Sequence, residues 1–153
     1  MIIYRLAIEP YKDDLSGEGA KLYGGRWNPP GKAALYATEN ISLAVLEILV
    51  NTDLHHIPPS YHLVKIEIPA NIIPAIIRKN KLKTGWKNDI DYTRGMGYDF
   101  LQSSHSLLLK IPSAIIDEEH NFIINTQHAD FKKIKITSSK KFSFDKRLYL
   151  KNE

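Results

Sequence analysis

The sequence predicts one α+β domain with a mixed or antiparallel sheet and flanking helices. The chain has 153 residues, which is the size of one ordinary domain. Its strand-like segments outnumber its helical ones, and no regular alternation of strands with helices indicates a doubly wound parallel sheet. No internal repeat or linker-like stretch divides the sequence, so residues 1–153 are interpreted as a single domain.

The first part of the chain is predicted to contain two short strands, a long loop between them and one helix. Tyr4–Ala7 forms the first strand and Ala34–Ala37 the second. The segment Pro10–Gly31 holds five glycines and three prolines, which predicts an ordered loop. Loops of that length inside a compact domain are usually functional. Asn40 is a suitable N-cap for a helix over Ile41–Val50.

The rest of the chain is predicted to be rich in strands. His62–Ile68 alternates apolar with charged residues, as a half-buried strand does. Residues 71–77 are apolar but interrupted by Pro74, and Asp89–Ser103 is predicted to be a helix despite its two glycines. The remaining predicted strands are Leu107–Ile111, Phe122–Ile124, Ile134–Thr137 and Phe142–Phe144.

Composition excludes several classes of protein. With 43% hydrophobic and 25% charged residues, the chain is typical of globular rather than disordered proteins. It has no cysteine, which excludes disulfide scaffolds, thiol nucleophiles and cysteine-ligated metals. It has no apolar run of about 18 residues and no secretory signal, so we expect a cytoplasmic protein without a membrane segment.

Common catalytic and nucleotide-binding motifs are also missing. Gly17 and Gly19 begin a dinucleotide-like pattern, but Leu22 stands where the third glycine is needed. There is no phosphate-binding loop of the Walker type and no nucleophile elbow. The six histidines are scattered, and the adjacent pair His55 and His56 must point apart. We therefore expect no metal site.

Glu47 is the residue that least fits a purely structural role. It is the only charged residue between Ile41 and Thr52, and on a helix Leu43, Leu46 and Val50 share its side. Burial of an unpaired carboxylate costs several kcal/mol, so it requires a cation, hydrogen-bond donors or a ligand. Two interpretations stay open: a carboxylate at the edge of a cleft, or one solvated stripe on the helix.

The segment before this helix carries a set of residues that suits a phosphate-bearing ligand with a flat ring. Residues 24–31 read GGRWNPPG, in which glycines allow close approach of the backbone and prolines stiffen the exit. Arg26 offers a planar fork for phosphate, Trp27 a flat ring and Asn28 an amide. In the structural alternative, Trp27 fills the core and Arg26 pairs with Glu47 to hold the loop.

Three further residues are candidates for the same site. Tyr36 precedes the Glu47 helix and belongs either to the core or to the site. Ser113 follows the buried strand that ends at Pro112, and Asn121 lies in a polar stretch. Each of these two can bind a ligand hydroxyl or cap a turn.

The net charge of +4 is concentrated near the C-terminus. The last 22 residues contain only two acidic residues, Asp145 and Glu153. Their basic residues are Lys132, Lys133, Lys135, Lys140, Lys141, Lys146, Arg147 and Lys151. This segment is either a solvated basic edge or a docking face.

Taken in order along the chain, these residues resemble the RES domain family, the toxins of RES–Xre toxin–antitoxin systems, named for its Arg, Glu and Ser positions. The N-terminal matches are Tyr4-Arg5-Leu6, Ser16-Gly17-Glu18-Gly19-Ala20, residues 23–31, residues 35–39 and Leu43-Ala44-Val45-Leu46-Glu47. The C-terminal matches are residues 111–114, residues 119–122, Asn125 and Phe142-Ser143-Phe144-Asp145-Lys146-Arg147-Leu148.

The resemblance implies an ADP-ribosyltransferase-like fold that acts on NAD. It assigns the family's arginine to Arg26, its glutamate to Glu47 and its serine to Ser113. The residues with expected catalytic roles are Glu47, Arg26 and Tyr36. The residues expected to bind NAD are Arg5, Arg26, Trp27, Asn28, Ser113 and Asn121. Residues 70–100 depart most from the family pattern.

The resemblance also implies the reaction and the partners. NAD is the substrate, so no separate cofactor and no metal are expected. Some members of the family degrade NAD by hydrolysis or phosphorolysis, and others transfer ADP-ribose to a protein. A cognate Xre-type antitoxin is expected to cover the active site, and nucleic acid is contacted only through that antitoxin. The alternatives are a nucleic-acid-binding or ribonuclease toxin that uses the basic C-terminal segment, and an inactive partner-binding domain.

Overall fold

Within residues 1–53 and 60–149, the part of the chain that the computed structural model describes, seven strands form one sheet. The strands are β1 (Ile2–Ile8), β2 (Leu35–Thr38), β3 (Tyr61–Glu67), β4 (Ala75–Ile76), β5 (Leu108–Pro112), β6 (His120–Ile124) and β7 (Lys135–Phe142). Their order across the sheet is β4-β5-β6-β2-β1-β3-β7. Only the β4–β5 pair is parallel among these strands. The predicted α+β fold with a mixed sheet is confirmed.

Three α-helices flank this sheet in the described residues: α1 (Glu18–Tyr23), α2 (Ile41–Asn51) and α3 (Ile90–Ser103). The predicted cap of α2 is confirmed, because the Asn40 side chain accepts a hydrogen bond from the backbone N–H of Leu43. Short 3₁₀ turns lie at Glu9–Tyr11, Lys79–Lys81, Trp86–Asn88, Ala129–Lys133 and Lys146–Leu148. None of the described helices has the length and apolar character that a membrane crossing requires.

One predicted loop and two predicted strands are wrong. The predicted loop Pro10–Gly31 contains α1, which buries none of its residues and therefore leaves no apolar periodicity in the sequence. The helix lies between Gly17 and Gly24, both of which have positive φ. The two predicted strands Ile134–Thr137 and Phe142–Phe144 are one strand, β7, because its backbone pairs with β3 through the intervening polar residues.

Residues 55, 56, 151 and 153, on which other interpretations of the sequence depend, lie outside the described residues. The structure therefore describes neither the adjacent histidine pair nor the end of the basic segment. Within the described part, no three His, Asp or Glu side chains cluster as metal ligands would.

The hydrophobic core occupies both faces of the sheet. One cluster contains Ile3, Val64 and Phe122, whose side chains come from β1, β3 and β6. The opposite cluster contains Trp27 and Trp86, packed against residues of α3, β5 and β6. The loop that carries Arg26 is thus built into the core through its neighbour Trp27.

The two halves of the sheet are joined at its centre by a short pairing between β1 and β2. β1 pairs with β3 along its whole length, from Ile2 to Ile8. β1 pairs with β2 at Tyr4 and Thr38. Helix α2 follows β2 directly and covers Leu6 of β1 through Ala44. This arrangement brings residues 24–31, here called the glycine-rich loop, to the same region of the surface as β1 and α2.

Candidate active site

A cleft of about 750 Å³ lies at this region, and its volume is in the range of small-molecule binding sites. Residues of β1, β2, α2, α3 and the glycine-rich loop line it. Six of the residues predicted from the sequence belong to the lining: Arg5, Arg26, Trp27, Tyr36, Glu47 and Asn121. The fold therefore brings together side chains that are far apart in the sequence. The largest separation, between Arg5 and Asn121, is 116 positions.

Glu47 lies half-buried on the side of α2 that faces the cleft. Its Oε1 accepts a hydrogen bond of 2.6 Å from Nδ2 of Asn121. Burial raises the pKa of Glu47, and the Asn121 hydrogen bond and the charge of Arg26 oppose this rise. Of the two interpretations left open by the sequence, the position at the edge of a cleft agrees with this geometry. The catalytic role of the carboxylate stays a prediction.

Asn121 presents an unused hydrogen-bond acceptor in the same place. Its amide nitrogen is committed to Glu47, whereas its Oδ1 is buried and has no partner among the described residues. A buried acceptor without a donor costs stability. Asn121 therefore combines two features in the cleft lining: its amide holds the Glu47 carboxylate, and its Oδ1 is a buried acceptor without a donor in the described part of the chain.

Arg26 is held by backbone contacts rather than by Glu47. Its Nη1 donates a hydrogen bond of 2.6 Å to the carbonyl of Lys87. No ion pair joins Arg26 to Glu47 in the described part of the chain, so the alternative in which they pair to hold the loop is wrong. Both residues line the same cleft instead.

Helix α3 holds the backbone on both sides of Arg26. The hydroxyl of Thr93 donates to the Arg26 carbonyl at 2.6 Å, and Nε of Arg94 donates to the Gly25 carbonyl at 2.9 Å. Gly97 packs so closely that a Cβ at this position would lie 1.6 Å from the carbonyl oxygen of Trp27. Helix α3 thus supports the loop that carries Arg26.

Replacing Gly97 with alanine is expected to destabilise the protein by about 1–3 kcal/mol, because the new methyl group overlaps backbone and forces α3 away from the loop. The matched control is Gly95→Ala in the same helix, where a Cβ would have no neighbour within 4 Å. This control should stabilise the helix by up to about 1 kcal/mol. Urea unfolding of both variants tests the difference, and equal effects would contradict the close contact.

A hydrogen-bonded network behind the cleft fixes the rest of the loop. The Tyr36 hydroxyl accepts the backbone N–H of Trp27 at 3.0 Å and donates to Oδ1 of Asn28 at 2.7 Å. Nδ2 of Asn28 donates to the carbonyls of Ala20 and Lys32. Burial raises the pKa of the Tyr36 phenol, so it stays neutral and cannot serve as a base near neutral pH.

Two residues predicted to bind the ligand lie beneath the cleft instead of in its lining. Asn28 is completely buried, and its amide is committed to the loop. Ser113 is also completely buried, and its hydroxyl accepts the backbone N–H groups of Ile115 and Ile116. It shapes the turn that brings Ile115 into the lining. Asn28 and Ser113 therefore support the cleft from below, and their predicted contact with NAD stays a prediction.

Arg5 and Trp27 line the cleft, but most of each side chain is buried in the protein. Nη1 of Arg5 donates to the Asp14 carbonyl at 2.7 Å, and burial lowers the pKa of the guanidinium. Trp27 is only 2% exposed and its ring lies 5.8 Å from that of Trp86, so most of it belongs to the core. Both still contribute to the cleft surface.

The sequence interpretation missed Arg94, which lines the cleft from α3. It is the only basic residue of that helix and stands beside Gly95 and near Gly97. A lone arginine among small residues was the available signal. Nothing in the helical periodicity showed which side of α3 faces the cleft.

The basic C-terminal residues lie elsewhere. The lysines at positions 135, 140 and 141 are exposed on β7, which forms one edge of the sheet. None of them lines the cleft. Lysines on an edge strand discourage edge-to-edge association, which favours the solvated basic edge over a docking face.

The sequence matches the profile of the RES domain over residues 2–145. It is 40% identical over 152 residues to Toxin Res of Photorhabdus laumondii, with 97% of each chain covered. It is 37% identical over 143 residues to the Prs ADP-ribosylating toxin of a Sphingobium species, with 91% of this chain and 89% of that protein covered. Toxin Res of Yersinia enterocolitica is 34% identical, with 97% and 99% covered.

Proposed function

Because this chain belongs to the RES domain family, we propose that it is the toxin of a toxin–antitoxin system and that it consumes NAD by cleaving the bond between nicotinamide and ribose. The observation that carries the proposal is the placement of Glu47, Asn121 and Arg26 in the lining of one cleft. A carboxylate and a phosphate-binding fork are the groups that such a reaction requires from a protein.

Glu47 would act on the sugar. Cleavage of the nicotinamide–ribose bond builds positive charge on the ribose, as in glycoside cleavage. The ionised carboxylate stabilises that charge, and the Asn121 amide holds the carboxylate in position. The unused Oδ1 of Asn121 would accept a hydrogen bond from a ribose hydroxyl. Nicotinamide leaves as a neutral molecule, so the reaction does not need a strong general acid.

Arg26 would hold the pyrophosphate at a distance from the bond that breaks. Its guanidinium is fixed by the Lys87 carbonyl, which presents the rest of the fork to the cleft. Binding energy from this remote group can then favour strain at the reacting centre. Tyr36 would pack against the ligand and exclude water, and the small part of Trp27 that reaches the cleft would contribute.

The acceptor of the ADP-ribosyl group distinguishes three versions of the reaction. In hydrolysis, water attacks the ribose carbon and the products are ADP-ribose, nicotinamide and a proton. In phosphorolysis, inorganic phosphate takes the place of water. The Sphingobium relative is named as an ADP-ribosylating toxin, which supports transfer to a protein as the second candidate.

The partners follow from the same proposal. A cognate antitoxin of the Xre type would cover the cleft, and any contact with nucleic acid would be made by that antitoxin. The cleft carries exposed apolar side chains, Tyr23 at 79% and Val50 at 60%, that a covering protein can bury. We also propose that the protein acts in the cytoplasm, where NAD is available.

Incubation of the purified protein with NAD, with and without inorganic phosphate, tests the proposal. Mass spectrometry of the products separates hydrolysis from phosphorolysis, because phosphorolysis leaves a phosphate on the ribose. Addition of a cell extract tests protein transfer by the mass increase of an acceptor. Intact NAD under all three conditions would refute the proposed function.

Replacing Asn121 with leucine should shift the pH dependence of the reaction. The amide hydrogen bond lowers the pKa of Glu47, so its loss should raise this pKa further above its ordinary value. Because the proposed mechanism requires the ionised carboxylate, the acid limb of kcat/KM should move to higher pH. An acid limb that stays in place would show that another group controls it.

A further inference from the structure

The lining of the cleft contains more basic than acidic side chains. Three arginines, Arg5, Arg26 and Arg94, contribute to it, and Glu47 is the one carboxylate that the described residues supply there. The lining therefore carries a net positive charge, which attracts a ligand with more than one negative charge. Each phosphate of a dinucleotide pyrophosphate carries a negative charge.

The three arginines differ in which of their nitrogen atoms is used in a hydrogen bond within the protein. Arg5 uses Nη1 on the Asp14 carbonyl, and Arg26 uses Nη1 on the Lys87 carbonyl. Arg94 uses only Nε, on the Gly25 carbonyl. Both terminal nitrogens of Arg94 therefore lack a hydrogen-bond partner in the part of the chain that the structure describes, so its Nη1 and Nη2 form a fork that can bind a phosphate.

The position of the Arg94 guanidinium is restricted by its neighbours. The hydrogen bond from Nε fixes the base of the group, and Nη2 lies 2.9 Å from where a Cβ of residue 24 would stand. Gly24 has no side chain there and has a φ of 72°, which other residues rarely adopt. The glycine thus leaves room for the guanidinium beside the loop.

Arg94 and Arg26 are also held to the same piece of backbone. Arg94 binds the Gly25 carbonyl, and Thr93 binds the carbonyl of Arg26 itself. These contacts fix helix α3, which carries Arg94, against the backbone that carries Arg26. A pair of forks fixed in this way suits two adjoining phosphates better than a single flexible cation does.

We infer that Arg94 binds the pyrophosphate of the dinucleotide together with Arg26, and that it supplies affinity rather than chemistry. This inference rests on the proposed function, because it takes the ligand to be NAD. It gives α3 two roles: the helix supports the loop that carries Arg26, and it contributes a second fork to the cleft.

The variant Arg94→Gln separates binding from support. The glutamine amide nitrogen occupies the position of the arginine Nε along the side chain, so it can still donate to the Gly25 carbonyl while the terminal cation is removed. Calorimetry with ADP-ribose, which retains the pyrophosphate but has no nicotinamide to lose, measures the contribution directly. Arg78→Gln is the matched control, because Arg78 is exposed and does not line the cleft.

We expect Arg94→Gln to weaken ADP-ribose binding by about tenfold to a hundredfold, the size of the loss of charge-assisted hydrogen bonds. The KM for NAD should rise with kcat nearly unchanged, and Arg78→Gln should bind as the wild type does. Unchanged ADP-ribose affinity in a folded Arg94→Gln protein would overturn the inference. If this variant unfolds, Arg94→Lys and Arg94→Met provide the test. Arg94→Lys keeps a positive charge, so it should lose less affinity for ADP-ribose than Arg94→Met.

Failure of the inference and failure of the proposed function give different results. A wild-type protein that binds neither NAD nor ADP-ribose refutes both. A wild-type protein that consumes NAD, with Arg94→Gln binding ADP-ribose equally well, refutes only the role of Arg94.

Discussion

Glu47→Gln should lower the rate of NAD consumption by about a hundredfold to a thousandfold, the usual effect of removing one electrostatic contact to a transition state. The amide has nearly the same shape and can still accept from Asn121, but it carries no charge to stabilise the ribosyl cation. Product analysis under saturating NAD gives kcat. Unchanged turnover in the folded variant would remove Glu47 from the mechanism.

The same substitution should also raise the unfolding temperature near neutral pH. Burial raises the pKa of Glu47 in the folded protein, so its contribution to stability is present at low pH and is lost as the pH rises through that pKa. An uncharged amide avoids this loss. The stability gain should therefore be larger at pH 7.5 than at pH 4. The matched control, Glu67→Gln, removes an exposed carboxylate outside the cleft and should leave NAD turnover unchanged.

Arg26→Ala is expected to reduce kcat/KM for NAD by about a hundredfold or more, since charge-assisted hydrogen bonds are worth about 1.5–3 kcal/mol each. Arg26→Lys should recover only part of this loss. A single ammonium cannot donate to the Lys87 carbonyl and grip phosphate as a planar fork does. Steady-state kinetics of both variants measure the effect.

The control for Arg26 is Arg78→Lys, which changes an exposed arginine outside the cleft lining. It should behave as the wild type does. Full activity of Arg26→Lys would show that charge alone, without the fork, is sufficient. Full activity of Arg26→Ala would show that the pyrophosphate is bound elsewhere.

Glu47 shows how much of a site can be predicted from a short stretch of sequence. A single carboxylate in an apolar helix conflicts with the cost of burying charge, so a position at the edge of a cleft could be proposed without coordinates, beside the alternative of a solvated stripe. The Asn40 cap and the boundaries of α2 follow from the same short-range rules. The hydrogen bond from Asn121 could not be inferred, because it spans 74 positions in the sequence.

Ser113 and Asn28 show where residue type alone does not decide a role. A polar side chain beside a glycine-rich or proline-containing turn serves equally well as a ligand contact or as a support for the turn. The choice depends on which side of the backbone meets the cleft. Both residues are buried beneath it and hydrogen-bonded to backbone groups, which is a supporting position, while their contact with NAD stays a prediction.

The order of motifs along the chain was sufficient to predict the fold class, the family and six of the residues that line the cleft, because each motif is a local arrangement of residues with its own chemistry. The roles of Arg94, Thr93 and Gly97 became visible only in three dimensions. Their contacts with residues 25–27 cross almost half of the chain, and no local periodicity records which carbonyl groups a distant helix will meet. Long-range packing decides that pairing, since it depends on how the whole sheet and its helices fit together.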